Sequence, residues 1–222
     1  EGSGVSLVLR PSNPLVLQGD RGLSQKGPEA GNASFYYSFT RLEAEGTLTL
    51  GGEEVPVQGQ AWLDREWSTS ALSRDQVGWD WFALQLSDGR DLMYYQLRRA
   101  DGTPHPLSKG VLVEANGESR MLSSEMVDLT VLDRWPSPLG GSPYPSRWHL
   151  AIPTEGIQLE VLPILSDQEL DLTFRYWEGA VKVSGTRLSE PLEGRGYVEL
   201  TGYTDRAEVE REPRLGRGIS SP

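Results

Sequence analysis

The possible folds of this chain are restricted most strongly by short runs of alternating or aromatic-rich residues, which are separated by glycine turn signals. FYYSFTR (35–41), WDWFALQL (79–86) and GYVELTGY (196–203) have the two-residue period of half-buried strands. Glycine pairs such as Gly51-Gly52 are typical of the tight turns that join antiparallel strands. No amphipathic pattern extends beyond two helical turns. The sequence therefore predicts an all-β antiparallel meander, which protects its edges best by closing into a barrel.

Charge and composition exclude several classes of function. The formal net charge of -11 and the lack of a basic stripe argue against a nucleic-acid partner, because the phosphate backbone would be repelled. The absence of cysteine rules out disulfides, thiolate metal sites and thiol nucleophiles, and the two histidines have no metal-site spacing, so no metal is predicted. No apolar run approaches about 18 residues, so no membrane span is expected.

Two polar segments are among those that interrupt the strand pattern. Residues 17–34 (LQGDRGLSQKGPEAGNAS) are Gly-rich and polar, and we expect a long loop there, of a length that is often functional. Residues 206–222 have no apolar face, and we expect them to form a charged, solvated tail.

One hairpin leads to a candidate acid. A two-residue turn at Asp88-Gly89 would place Asp80 opposite Leu97 and diagonal to Tyr95, on the apolar side of the strand. A carboxyl group in that position resists ionisation and can act as a general acid. The alternative is that Asp80 lies at a barrel mouth, where it stays hydrated or accepts a backbone hydrogen bond.

The stretch WLDREWSTS (62–70) carries three charges between two tryptophans. Strand alternation places Trp62, Asp64 and Glu66 on one face, and Arg65 and Trp67 on the other. Charges flanked by indoles are costly to bury unless they are paired, so we expect a hydrogen-bonded cluster or a pocket wall. The alternative is a purely structural arginine that links two segments through the carboxylates.

Two late strands carry polar side chains that suit a ligand. Tyr197 and Glu199 share one face of GYVELTGY, while Trp177 shares a face with Val181 and Val183 in the strand before it. A face that mixes tyrosine with a carboxylate suits a barrel interior that binds an apolar body with a polar handle. An ordinary solvent face with cross-strand Tyr and Glu pairs would show the same pattern.

Several phrases together resemble a known family. VLQGD, GLSQKG, NASFYYSFTRL, AWLDREWSTS, GWDWFALQL, WEGAV and GRGYVELTGY are similar to the AttH-type proteins, which are related to carotenoid 1,2-hydratases (hydroxyneurosporene synthases) and are often described as secreted hydrolases. The resemblance covers the chain from about Leu7 to Tyr203. Because it rests on long aromatic-rich phrases in order, it is specific for the family and says less about activity.

The resemblance implies two lipocalin-like (calycin) β-barrels in tandem, with an aromatic, apolar ligand region in or between them. Residues 1–73 would be the end of a first barrel whose N-terminal portion is absent, and 76–205 a complete second barrel of about eight strands. It also implies an extracytoplasmic location, a lipophilic small molecule and an envelope transporter system as partners, and no cofactor.

One departure from the family limits what can be transferred. Carotenoid hydratases have a histidine in the tract that matches Asp64 to Trp67, where this chain has Arg65, and arginine does not exchange protons near neutral pH. A hydratase would then need Asp80, Asp64 or Glu66 as the acid, with Trp67, Trp79 and Trp81 stabilising a carbocation. Tyr94 or Tyr95 would stand for the family's tyrosine. Hydrolase chemistry is not favoured, because the chain has no Gly-x-Ser-x-Gly motif.

Three functions remain at this point. The first is a binding protein for a lipophilic small molecule, the second a cofactor-independent hydratase- or isomerase-type lyase acting on an isoprenoid or polyketide-like chain, and the third a structural or partner-binding module. The candidate catalytic residues are Asp64, Glu66, Asp80 and Tyr95. The candidate ligand-binding residues are Trp62, Arg65, Trp67, Trp79, Trp81, Tyr94, Gln96, Trp177, Tyr197 and Glu199.

Overall fold

The computed structural model describes residues 2–29, 31–68, 72–172 and 175–203, which form two antiparallel β-sheets. The predicted charged tail, 206–222, lies outside the described residues. The N-terminal sheet contains five strands: β1 (Gly4–Pro11), β2 (Val16–Leu17), β3 (Leu23–Gln25), β4 (Ala33–Leu50) and β5 (Glu53–Ser68). The C-terminal sheet contains ten: β6 (Gln76–Leu86), β7 (Asp91–Arg99), β8 (Lys109–Val113), β9 (Ser119–Ser123), β10 (Asp128–Trp135), β11 (Tyr144–Ile152), β12 (Ile157–Pro163), β13 (Glu169–Asp171), β14 (Arg175–Arg187) and β15 (Glu190–Leu200).

The described helical structure consists of two 3-10 turns, Ser124–Met126 and Pro153–Glu155. The all-β antiparallel class predicted from the period of the sequence is thus confirmed. Among the described residues, no helix has the length and apolar character needed to cross a membrane.

In the N-terminal sheet, the long strand β4 pairs with β5 along one edge and with β1, β2 and β3 along the other. β2 ends at the first residue of the segment 17–34 and β3 lies inside it, so the long loop predicted there is interrupted by strand structure. Each of these strands is only two or three residues long, which is too short to give a recognisable period.

The C-terminal sheet has the strand order β10-β11-β12-β14-β15-β6-β7-β8-β9, and β13 adds to β14. It has ten described strands rather than the eight expected. Leu122 on β9 and the partly buried Leu129 on β10 pack on the same apolar cluster, although their strands are at opposite ends of the order. The sheet therefore curls around one core, which includes Phe82, Leu150 and Trp148, all fully buried.

The β6–β7 hairpin differs from the prediction by one residue. Leu86 and Arg90 are joined by a hydrogen bond across a three-residue loop, and Gly89 takes a φ of 86° within it. Asp80 consequently pairs with Gln96 instead of lying opposite Leu97. Because side chains alternate along a strand, this single-residue shift moves Tyr95 to the face opposite Asp80.

The two sheets pack face to face through a second apolar cluster. From the C-terminal sheet it includes the outward-facing Met93 and Tyr95 of β7, and from the N-terminal sheet Val16 and Tyr36. Trp62, Trp79 and Trp81 pack at the margin of this cluster. The space between the sheets is therefore lined by aromatic side chains from both.

Candidate active site

The stretch 62–68 is the end of β5, and its alternation is as predicted. Trp62 and Asp64 point toward the C-terminal sheet, where both are partly buried, and Glu66 points the same way. Arg65 and Trp67 point to the other side, and both are exposed. We call the region that Asp64 and Glu66 face the inter-sheet site.

Asp64 is held by uncharged donors. The indole Nε1 of Trp62 donates to its Oδ1 at 2.8 Å, and the hydroxyl of Tyr36 donates to its Oδ2. Ser38 lies directly opposite Asp64 on β4. Burial raises the pKa of Asp64, and the side chains of Ser38, Tyr36 and Trp62 oppose the shift because they stabilise the anion.

Glu66 has a different environment. The ammonium group of Lys26 lies 2.8 Å from its Oε1, and the hydroxyl of Ser34 donates to the same oxygen. The Lys26 ammonium also lies over the ring of Tyr95, 4.2 Å from its centroid, and over that of Tyr36 at 5.2 Å. Glu66 is thus an ion-paired carboxylate, suited to fixing the site rather than to donating a proton.

The C-terminal sheet contributes one row of side chains to the site. Glu199, Trp81 and Tyr95 lie directly opposite one another on β15, β6 and β7. The indole Nε1 of Trp81 donates to the hydroxyl oxygen of Tyr36 at 3.2 Å, which connects this row to Asp64. The ring of Trp81 also meets that of Trp62 edge to face, with centroids 6.4 Å apart.

Glu199 has the most strongly perturbed carboxyl group of the site. Burial raises its pKa to about 7, and the negative charges of Glu178, Glu66 and Asp64 act in the same direction. One described hydrogen bond opposes the shift, from the indole Nε1 of Trp79 to Oε1 at 2.8 Å. A carboxyl group with this pKa can exchange protons near neutral pH.

Tyr95 also belongs to the inter-sheet site. It is 3% exposed, and its hydroxyl forms a 3.0 Å hydrogen bond with that of Ser24. Burial raises the pKa of Tyr95, and the nearby Glu66 contributes to the shift, so the phenol stays protonated.

Asp80 lies on the opposite face of β6, inside the core of the C-terminal sheet. Its carboxylate accepts a 2.9 Å hydrogen bond from Arg98 Nε and hydrogen bonds from the Tyr203 hydroxyl at 3.0 and 3.1 Å. Burial raises its pKa, as an apolar setting requires, while Arg98 and Tyr203 oppose the shift. The structure therefore does not bring Asp80 together with Asp64 and Glu66.

Four more candidates lie away from the inter-sheet site. Tyr94 and Trp177 are 1% exposed in the core of the C-terminal sheet, and Gln96 shares the face of Asp80. Tyr197 is 41% exposed and donates to Glu178 at 3.3 Å. The interior of the C-terminal sheet on β15 carries Val198, so the interpretation of the Tyr197–Glu199 face as a barrel interior was wrong.

Arg65 does not link two segments through carboxylates. Among the described residues it forms no ion pair, and its guanidinium lies over the ring of Trp67, 5.0 Å from the centroid. The outer side of the N-terminal sheet carries a shallow apolar pocket of about 400 Å³ beside this pair. Its lining includes Leu17, Arg21, Gly22, Phe35, Tyr36, Tyr37 and Trp67.

The sequence analysis missed the β4 residues that complete the site. Ser34, Tyr36 and Ser38 are all 4% exposed or less and point toward the C-terminal sheet. A signal was present, since in FYYSFT the polar residues alternate with Phe35, Tyr37 and Phe39. The alternation alone does not show which face is buried, because aromatic and hydroxyl faces can each be the buried one.

The fold is that of the AttH-type proteins. The chain belongs to the AttH-like family, whose family model matches residues 1–203. It is 26% identical over 202 residues to kievitone hydratase from Fusarium solani subsp. phaseoli, covering 87% of this chain and 55% of that protein.

Two solved structures share the fold. An AttH structure from Nitrosomonas europaea has 39% sequence identity and a TM-score of 0.82, over 92% of this chain and 63% of that chain. Kievitone hydratase from Nectria haematococca has 24% identity and a TM-score of 0.73, over 89% of this chain and 61% of that chain. The chain thus spans less than two thirds of the length of each of these relatives.

Proposed function

We propose that this chain carries a cofactor-independent, hydratase-like lyase site between its two sheets. The observation that supports it is the pair of carboxyl groups, Asp64 and Glu199, that approach Trp81 from the two sheets. Both have raised pKa values, and neither forms an ion pair within the described part of the chain. A hydratase among the relatives of the chain supports the same class of reaction.

The environments of the two carboxyl groups assign their roles. Glu199 accepts a single described hydrogen bond and has a pKa of about 7, so it carries a proton in a large fraction of molecules at neutral pH. Asp64 accepts hydrogen bonds from Trp62 and Tyr36, which favour its anion. Groups whose environments differ in this way act as acid and base respectively.

The reaction then has two steps. Glu199 donates its proton to one carbon of an alkene, and the faces of Trp79 and Trp81 stabilise the carbocation that forms on the other carbon. A water molecule adds to this cation through its oxygen and transfers its extra proton to Asp64. Asp64 then releases its proton to solvent, and the partly buried Glu199 takes one up, so the net result is addition of one water.

Incubation of the chain in ¹⁸O-labelled water with kievitone, and separately with an isoprenoid alkene, tests this proposal. Mass spectrometry is expected to show addition of one labelled water. The variants Glu199→Gln and Asp64→Asn should each lose at least about 100-fold in turnover, since general acid–base catalysis contributes that much. The exposed Glu193→Gln and Asp171→Asn are the matched controls. Unchanged turnover in both site variants, or none in the parent chain, would overturn the proposal.

A second candidate function rests on the apolar pocket beside Trp67. Its volume of about 400 Å³ lies in the range of small-molecule sites, and the pocket would suit a binding protein for a lipophilic molecule. Native mass spectrometry with organic extraction should then find such a molecule on the parent chain and lose it from Trp67→Ala. This candidate would be excluded if the chain carries no ligand and its tryptophan fluorescence does not change when a panel of lipophilic compounds is added.

A further inference from the structure

Gln18 is a buried side chain at the edge of the inter-sheet site with an unused acceptor. It directly follows β2, is 1% exposed, and its backbone N–H donates to the carbonyl of Tyr36 at 3.0 Å. Its amide Nε2 donates to the hydroxyl oxygen of Ser38 at 3.0 Å. Its Oε1 has no hydrogen-bond partner among the described residues.

The neighbouring hydroxyl fixes which way the Gln18 amide points. Ser38 lies directly opposite Asp64 on the neighbouring strand and lowers the pKa of that carboxyl group, as a hydroxyl hydrogen turned toward the carboxylate does. Ser38 must therefore accept from Gln18, and the group that contacts it has to be the NH₂ of the amide. A rotated amide would bring two acceptor oxygens together, so Oε1 is the atom left free.

A buried carbonyl without a donor is unusual. Leaving such an acceptor unsatisfied costs about 1–3 kcal/mol, and nearly all buried polar groups have a partner. The partner required here is an O–H or N–H donor of small size. Because Gln18 contacts Ser38, and Ser38 lies directly opposite Asp64, such a donor would lie beside the carboxylate proposed as the base.

We propose that Gln18 Oε1 and the carboxylate of Asp64 together hold the water molecule that adds to the alkene. This inference rests on the proposed hydratase function, and it adds the binding position of water, the second reactant. The water donates one hydrogen to Gln18 and the other to Asp64. Its lone pairs therefore point toward the aromatic rings of the site. As it adds to the cation, the hydrogen on the Asp64 side passes to that carboxylate.

A structural experiment tests the site without reference to activity. A high-resolution crystal structure of the chain is expected to show a water oxygen within hydrogen-bond distance of Gln18 Oε1 and of Asp64. A protein donor on Oε1, or no ordered oxygen there, would overturn the inference. A hydroxyl of a bound organic molecule at that position would also overturn it, in favour of a ligand-binding role.

A kinetic experiment separates water addition from protonation. In D₂O, reversible protonation exchanges deuterium into recovered alkene, while completed turnover gives the alcohol. Gln18→Met should keep exchange within about 2-fold of the parent and reduce alcohol formation about 100-fold, as expected for a misplaced reactant. The exposed Gln58→Met is the control.

The outcomes distinguish the inference from the proposed function. Equal loss of exchange and of alcohol in Gln18→Met would indicate a purely structural role and overturn the inference. Neither exchange nor alcohol in the parent chain would overturn the proposed function itself. An ordered water in such an inactive chain would then be a structural water, which also overturns its assignment as a reactant.

Discussion

Tyr36 on the N-terminal sheet accepts a 3.2 Å hydrogen bond from Trp81 on the C-terminal sheet. The same phenol donates its own hydrogen to Asp64. The residues that surround Asp64 are therefore complete only when the two sheets are packed together. The chemistry of the inter-sheet site and the packing of the sheets depend on one another.

Tyr36→Phe tests this connection. The variant removes a donor to the Asp64 anion, so the pKa of Asp64 should rise further above its usual value. The free energy of unfolding should fall by about 1 kcal/mol, the usual contribution of one hydrogen bond. Carboxyl ¹³C NMR titration and urea unfolding measure the two effects. Tyr37→Phe, on the opposite face of β4, is the control, and equal pKa values of Asp64 in both variants would contradict the prediction.

A buried ion pair also joins the two sheets. Arg41 on β4 lies 2.6 Å from Asp91 on β7, whose side chain is 0% exposed, and it also donates to the carbonyls of Leu86 and Arg90. Thr40 and Asn13 donate to the other oxygen of the carboxylate. The sequence suggested Arg65 as an arginine that links two segments through carboxylates. In the structure, this cluster around Arg41 and Asp91 provides such a link.

Asp91→Asn is expected to destabilise the protein by about 3 kcal/mol, because it leaves the buried guanidinium of Arg41 without its counter-charge. Urea unfolding provides the measurement. Arg10→Ala is the comparison, since Arg10 and Glu45 form an exposed pair at 3.6 Å that should contribute less than about 1 kcal/mol. Similar losses of unfolding free energy in the two variants would show that the inter-sheet ion pair contributes no more to stability than the exposed pair.

The alternation of side chains along a strand could be predicted from the sequence more reliably than the pairing register between strands. The alternation of Trp62, Asp64 and Glu66 against Arg65 and Trp67 was predictable, because it needs only the two-residue period of a strand. The β6–β7 register was not, because Asp88-Gly89 fits a two-residue turn as well as the three-residue loop that forms. That loop is stabilised from outside the hairpin, where Ser87 N–H donates to the carbonyl of Glu193 on β15.

The partners of the site residues could not be predicted for a similar reason. The sequence identifies Asp64 and Glu199 as polar residues within aromatic strands, but they are 135 positions apart and meet only through the packing of two sheets. Gln18 lies in a segment whose two short strands have no readable period. Long-range packing decides these contacts, and a single sequence does not encode it in a local pattern.

Asp80 offers a test of whether a buried carboxyl group is catalytic or structural. Asp80→Asn should lower the melting temperature, because Arg98, whose side chain is 12% exposed, loses its counter-charge. Turnover per folded molecule should stay within about 2-fold of the parent, since the carboxylate faces the core and not the inter-sheet site. Differential scanning calorimetry and the labelled-water assay provide the two measurements. A fully stable but inactive variant would restore Asp80 as a candidate acid.

The pH dependence of stability tests the assignment of Glu199. Its pKa is raised from 4.5 to about 7 in the folded protein. Between these values the folded state keeps a proton that the unfolded state has released, so the free energy of unfolding falls as the pH rises. The slope from this residue is at most about 1.4 kcal/mol per pH unit, and above the folded pKa it vanishes. The stabilisation is therefore fully present only below the unfolded pKa.

Glu199→Gln removes this titration. The indole of Trp79 can still donate its hydrogen bond, to the amide oxygen of the glutamine. The difference in unfolding free energy between parent and variant should change in favour of the variant from pH 4.5 to about 7 and then remain constant. Urea unfolding at closely spaced pH values measures it. The exposed Glu193→Gln variant is the matched control. Parallel curves for Glu199→Gln and the parent would show that Glu199 is ionised at neutral pH, and the acid of the proposed reaction would have to be Asp64 instead.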